Sequence, residues 1–173
     1  MQLQLLFQTT CLTAYYDDHN DWLFLDWEGD LTLPVVQEAC AELAACFLHR
    51  PYTHVLNSNE QVTDIHWNVT AWLATDFLPH VALAGIKHLA WVHSASLRGQ
   101  NMVQTILSWL PGPIIDAFDN VAAAVTWLQH SQAASPPLGA LPTRSAATQA
   151  KLAQEVQGLL QRLKAKHLKL QRA

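Results

Sequence analysis

A chain of 173 residues, half of them apolar, can bury one good-sized core and leaves no room for a second full domain. Residues 1–133 carry thirteen acidic and three basic side chains, net −10, whereas residues 134–173 carry seven basic and one acidic, net +6. The acidic major part excludes a nucleic-acid binder, whose affinity rests on cations set against phosphate. No apolar run approaches the roughly 20 residues needed to span a bilayer.

The first residues, Met1 to Leu6, have no basic stretch before a long apolar one, so no secretory signal is expected. Cys11, Cys40 and Cys46 make an odd set without a C-x-x-C pair, which fits a reducing cytoplasm; the sequon Asn68-Val69-Thr70 is then chance. Seven tryptophans, from Trp22 to Trp127, are read first as core fillers and second as the lining of a ligand pocket.

In chain order, Leu3 to Phe7, Cys11 to Tyr16 and Trp22 to Trp27 read as strands, the last two joined by the turn formers Asp17 to Asp21. Leu23, Leu25 and Trp27 point one way and Trp22, Phe24 and Asp26 the other, as in a sheet with one face on the core. Gly29-Asp30 is expected to break the strand. Thr32 then caps a helix with Pro34 in its first turn and Val36, Cys40, Leu43 and Phe47 on one face. Cys40 and Cys46 lie about 240° apart on it and cannot share a metal.

Tyr52 to Leu56 reads as a short buried strand, with Asn57-Ser58-Asn59-Glu60 as a polar loop at its carboxyl end. A helix from near Asn68 carries Trp72, Leu73 and Phe77 and stops before Pro79; Leu89 to Val92 is the next strand. Ser94 or Ser96 can cap a helix with Met102, Val103, Ile106 and Leu107, ended by Pro111-Gly112-Pro113. Ile114 to Phe118 is the last strand, and Asp119 caps a helix with Val121, Val125 and Leu128. Three strands followed by helix–strand repeats predict an α/β fold: an antiparallel start, then parallel strands with crossover helices, over residues 1–130.

Local sequences along this order resemble the STAS-like family, whose founding fold is that of the sporulation anti-sigma-factor antagonist. They are similar, more narrowly, to small bacterial proteins described as STAS or CRAL-TRIO-like. The residues that carry the resemblance are Leu25-Asp26-Trp27-Glu28-Gly29 into Leu31-Thr32-Leu33, and Val55 to Asn59 with Val62-Thr63 and Trp67. Trp72 to Pro79 and Ala84-Gly85-Ile86-Lys87 into Leu89 to Val92 complete it, over roughly residues 11–130. The resemblance implies a mixed STAS-like sheet and, in partner-switching members, a phosphorylated serine near the end of the central strand. That points to Ser58 or Thr63 as phosphoacceptor, although Asn57-Ser58-Asn59-Glu60 stands where those members have an Asp-Ser-Ser-Gly type of motif.

Nine histidines raise the question of a metal. His88 and His93, His49 and His54, and Asp64 and His66 match no ligand spacing, so no metal and no cofactor is expected. Ser58, Ser94 and Ser96 lack the surroundings of a nucleophile, so no catalytic residue is assigned. The carboxyl ends of the strands would gather Asn57, Ser58, Asn59, His93 and Ser94, with Trp67 and Trp72 as walls; a ligand or partner rim is expected there.

Residues 131–143 read as a Pro/Ala/Ser linker, and 144–173 as a basic amphipathic helix capped by Ser145, roughly 40 Å long. Leu152, Val156, Leu159, Leu160, Leu163, His167 and Leu170 form its apolar stripe, expected to dock on its own domain or on a second subunit. Its basic charge is expected to aid docking on an acidic neighbour, with salt loosening it. The tail has no aromatic residue, so attachment to a membrane surface is not favoured.

The leading expectation is a cytoplasmic, non-enzymatic STAS-like domain for protein interaction. It would self-associate, as a homodimer, through the C-terminal helix, with a regulatory protein as partner. The second is a binding module for a small apolar or lipid-like ligand, motivated by the tryptophans and the CRAL-TRIO-like resemblance. An enzyme comes third.

Overall fold

A computed structural model describes residues 1–94, 113–133 and 144–170. Six strands form one sheet in sequential order: β1 (Leu3–Gln8), β2 (Leu12–Asp17), β3 (Trp22–Leu31), β4 (His54–Ile65), β5 (His88–Val92) and β6 (Ile114–Phe118). The first three are antiparallel neighbours, and from β3 to β6 every pairing is parallel. This is the mixed α/β sheet expected. The β2–β3 turn is fixed by Asp17, whose carboxylate accepts from Gln2 N, His19 N and Asn20 Nδ2. Burial pushes that carboxyl up, but the hydrogen bonds outweigh it and hold it below the usual carboxylate range.

Two predicted boundaries in the sheet are corrected. Gly29 does not break β3. At φ +75° it accompanies register shifts against β4, and the strand runs on to Leu31. The segment Asn57 to Glu60 is not a loop but the interior of β4: Asn57 and Ser58 pair with both β3 and β5, and Asn59 and Glu60 lie at a register shift against β3 before pairing resumes at Gln61.

Helix α1 (Leu33–His49) buries Val36, Ala39, Cys40, Leu43, Ala44 and Phe47 against the sheet. Thr32 stands at its N-cap without a side-chain bond. The next crossover does not stop at Pro79: α2 (Trp67–Trp72) passes through a π-helical stretch, Leu73–Phe77, into α3 (Leu78–Leu83), which Pro79 enters in its first turn. Helix α4 (Val121–Ala133) absorbs residues 131–133 of the expected linker, and Asn120 rather than Asp119 caps it, accepting from Ala123 N at 2.9 Å. The helix expected around Met102 to Leu107, its cap Ser96 and most of the linker lie outside the described residues.

Both faces of the sheet are covered, which corrects the one-sided reading. Trp22, Leu56, Ala90 and Val92 pack on Ala124 and Leu128 of α4. The opposite face carries the larger core, formed with α1, with the α2–α3 segment and with α5 (Ala146–Leu170). Ser145 Oγ caps α5, accepting from Thr148 N at 3.1 Å.

The stripe of α5 is spent within its own chain. Leu152, Val156, Leu159 and Leu163 are buried in the main core and Leu160 packs beside them; the Leu170 side chain is outside the described residues. Arg144 anchors the helix start by donating to Phe47 O (2.5 Å), Ala84 O (2.6 Å) and Arg50 O (3.4 Å), while Gln149 Nε2 donates to Leu48 O. A cation on the last carbonyls of α1 satisfies groups that have no intrahelical partner. The basic tail is thus held on its own domain mainly by apolar burial and carbonyls; its one described ion pair with an acid of the domain is Arg162–Asp76 at 3.5 Å.

Candidate functional site

In a parallel sheet, residues paired in register share a face. Leu25 pairs with Asn57, and Asn57 with Trp91, which puts an asparagine between a leucine and an indole on the face toward α1. Trp27 follows Leu25 on the same face, and its Nε1 donates to Asn57 Oδ1 at 2.9 Å. One period further along β4, Asn59 Nδ2 donates to Val92 O at 3.0 Å.

Above these residues the helices do not fill the space. A cavity of about 120 Å³ lies between the sheet and the helices α1, α2 and α3. Its walls are aliphatic and aromatic, among them Leu43 and Phe47 of α1, Val62 of β4, Val69 of α2 and Phe77 and Val81 beyond it. Asn57, Asn59, Ser94, Trp27 and Trp91 are the residues of its described lining that carry polar side-chain atoms. Asn57 is 6% exposed, and its Nδ2 has no partner; the same holds for the buried Nε1 of Trp91. Among the described residues, no Lys, Arg, His, Asp or Glu lines the cavity. An apolar enclosure with a few polar groups at one end is the usual form of a small-molecule site.

Of the expected rim, Asn57, Asn59 and Ser94 meet at this cavity. Ser58 points to the other side of the strand and is 1% exposed; Asp26 is its hydrogen-bond partner and Glu60 N donates to its Oγ at 3.5 Å. Burial pushes the Asp26 carboxyl above its ordinary value, and the Ser58 bond opposes that shift. The other expected phosphoacceptor, Thr63, is exposed on β4. His93 follows β5, its backbone N donating to Phe118 O, and does not line the cavity. The two expected walls also lie elsewhere: Trp72 is buried against Phe77, and Trp67 stands 70% exposed.

Residues the sequence reading missed are Trp27, Trp91 and the helical wall. The hint was present in Trp27 and Asn57, but nothing joins positions 30 apart until strand register is known. A second missed pair sits on the other face: His54 and His88 stack with centroids 4.9 Å apart, and Trp127 meets His88 edge-on. Asp64 and His66, judged too poor a spacing for a metal, are joined by Asp30, with donor atoms within 4.8 Å of one another. Asp30 and His66 there are about half exposed and 3.4 Å apart. The three cysteines are free: Cys11 and Cys40 are buried and Cys46 half-buried, and burial raises each thiol, Cys11 to about 11. Thiols so raised are poor nucleophiles.

No family model matches the chain, and no curated protein does. Among solved structures it is similar to an uncharacterised protein of the DUF3478 family with a SpoIIAA-like fold from Shewanella loihica PV-4. The identity is 15%, the match covers 73% of this chain and 91% of the other, and the TM-score is 0.47. No helix among the described residues is long and apolar enough to cross a membrane.

Proposed function

We propose that this protein is a binding module for a small apolar molecule, held between the sheet and the α1, α2 and α3 helices without chemical conversion. The single observation that carries this reading is the cavity of about 120 Å³ with apolar walls and two buried, unpartnered N–H groups, on Asn57 and Trp91. Close-packed interiors hold few voids larger than a water molecule, and buried polar groups are normally paired. Both departures fall at one place. A ligand would supply the missing contacts with the walls.

The test is binding of n-hexane, or of a short aliphatic ketone, to the full chain, followed by the fluorescence of Trp27 and Trp91. Val62→Phe places a ring in the cavity and should weaken binding at least tenfold while the circular dichroism of the fold persists. Binding that survives this variant unchanged would place any ligand elsewhere.

A second reading, self-association, is favoured by a different surface from the one first expected. Among the described residues strand β1 is an edge of the sheet, residues 1–16 contain no charged side chain, and Leu3, Leu5 and Leu6 are exposed on it. Such an edge lacks the charges and prolines that usually guard against pairing. A second copy adding its own β1 would form a homodimer through a continued sheet. Light scattering on the full chain and on Leu5→Lys tests this; equal masses for both would remove it.

A further inference from the structure

Away from the cavity, two carboxylates and an imidazole converge where β3 and β4 end. We propose that Asp30, Asp64 and His66 bind a divalent first-row transition-metal ion of the Zn²⁺ type. The inference does not depend on the cavity or on what fills it.

The register of the sheet makes the cluster. Gly29 pairs with Val62, but the next pair is Asp30 with Asp64, so β4 holds Thr63 as an extra residue between them. In an unshifted register Asp30 would stand beside Thr63. The shift instead sets two carboxylates side by side on neighbouring strands, which like-charge repulsion disfavours and a shared cation offsets. Leu31 and Ile65, the pair that follows, both line the cavity. By the alternation of a strand, Asp30 and Asp64 therefore stand on the opposite face. His66, the residue after β4, is held by its backbone N, which donates to Leu31 O at 3.2 Å. Its ring turns to the carboxylates, with Nε2 3.4 Å from Asp30 Oδ1. An ion pair between those two would explain that approach, but not the second carboxylate beside it.

Distances and exposure suit a metal. One donor atom from each of the three side chains lies within 4.8 Å of the other two. Ligands about 2.1 Å from a tetrahedral ion stand roughly 3.4 Å from one another. Asp30 and His66 already have that spacing, and Asp64 completes the set with a shift of roughly 1 Å. Asp30 is 54% exposed and His66 48%, which leaves water to fill the remaining coordination positions. Beside the three donors is an open cleft lined by Asp64, His66, Trp67 and Asn68, through which an ion can enter. The imidazole selects among cations: Zn²⁺ and its neighbours accept nitrogen with carboxylate, whereas Mg²⁺ and Ca²⁺ take oxygen ligands.

The test is calorimetry of the full chain with Zn²⁺ and with Mg²⁺ at pH 7.5, with the visible absorption of bound Co²⁺ as a report on the ligands. Asp30→Asn, Asp64→Asn and His66→Gln should each weaken Zn²⁺ by at least about tenfold, and His66→Gln should also change the Co²⁺ spectrum. His19→Gln, at an exposed histidine outside the cluster, should move Zn²⁺ binding by less than about twofold. Mg²⁺ should bind at least about tenfold more weakly than Zn²⁺. Circular dichroism checks that each variant is folded. If Asp30→Asn disturbs β3, Asp64→Asn serves, since an amide retains the oxygen that accepts from Ile65 N. No Zn²⁺ binding, Zn²⁺ binding unchanged by the three cluster variants, or Mg²⁺ binding as tightly as Zn²⁺ would overturn the proposal.

Discussion

The two faces of this sheet differ in how they are finished. Toward α4, Trp22 and Leu56 are fully buried, Ala90 and Val92 complete the layer, and the rings of Phe24, Phe118 and Trp127 close its margins. Toward α1 the covering helices are more numerous, yet the space over the centre of the sheet is not filled. The residues of β4 account for the contrast. It sends Leu56 to the α4 side and Asn57 and Asn59 to the α1 side, where an aliphatic side chain would have met Leu43 and Phe47. The better-covered face is the one with room inside it, which is how a site is kept dry without being filled.

Substitutions can break that comparison if both faces respond alike. Trp22→Ala, on the filled face, should lower stability by about 3–5 kcal/mol in urea unfolding. Leu159→Ala in α5 should lose about 2–5 kcal/mol, since its side chain belongs to the main core; a change below 0.5 kcal/mol in magnitude, taken as roughly the surface level, would mean that α5 does not dock in cis. Enlargement should then separate the faces. Ala124→Leu overpacks the α4 side and should destabilise by about 1–3 kcal/mol, whereas Val62→Phe has the cavity to enter and should stay within about 1 kcal/mol of the parent. Equal penalties for the two would deny the difference in packing.

Acid sharpens the contrast from the filled face alone. Burial, and next the neighbouring His88, lower the His54 pKa to about 4; Lys87 acts in the same sense and Asp21 against it. Between pH 6.5 and 4 the unfolded chain binds a proton that the folded chain refuses, so stability should fall on acidification through that window, by on the order of 1–3 kcal/mol, and be flat just above it. His54→Phe should flatten this part of the pH profile. The smallest effect is expected from salt: the Arg162–Asp76 pair is partly exposed, and Arg162→Ala should change stability by less than about 1 kcal/mol. Raising salt is therefore expected to loosen the tail only slightly.

Much of the fold was legible because its signals are local. The turn at Asp17 to Asp21, Pro34 in the first turn of α1, the alternation in β3 and the Ser145 cap each act within a few residues. The tail stripe was equally plain, though its partner was not, since amphipathicity says that a face is buried and not against what. Asn57 to Glu60 misled because their turn propensity was overridden by pairing of Asn57 and Ser58 with strands on both sides and by β3 pairing that resumes at Gln61. The site was half legible: Asn57, Asn59 and Ser94 were placed at a common rim. Its indoles were not, because the Trp27–Asn57 bond and the Trp91 pairing depend on register between strands far apart in the chain.

The sequential strand order bears on how the chain is made. Each strand pairs with the one synthesised before it, so the sheet can grow outward from the β1–β2–β3 meander as the polypeptide emerges. Helix α5 breaks that rule. It closes on α1, about a hundred residues upstream, and until it arrives the carbonyls of Phe47 and Leu48 and the part of α1 that it covers face solvent. A helix made about a hundred residues after α1 is therefore the one that seals the core, and a nascent chain stalled before residue 146 would present that open surface to chaperones.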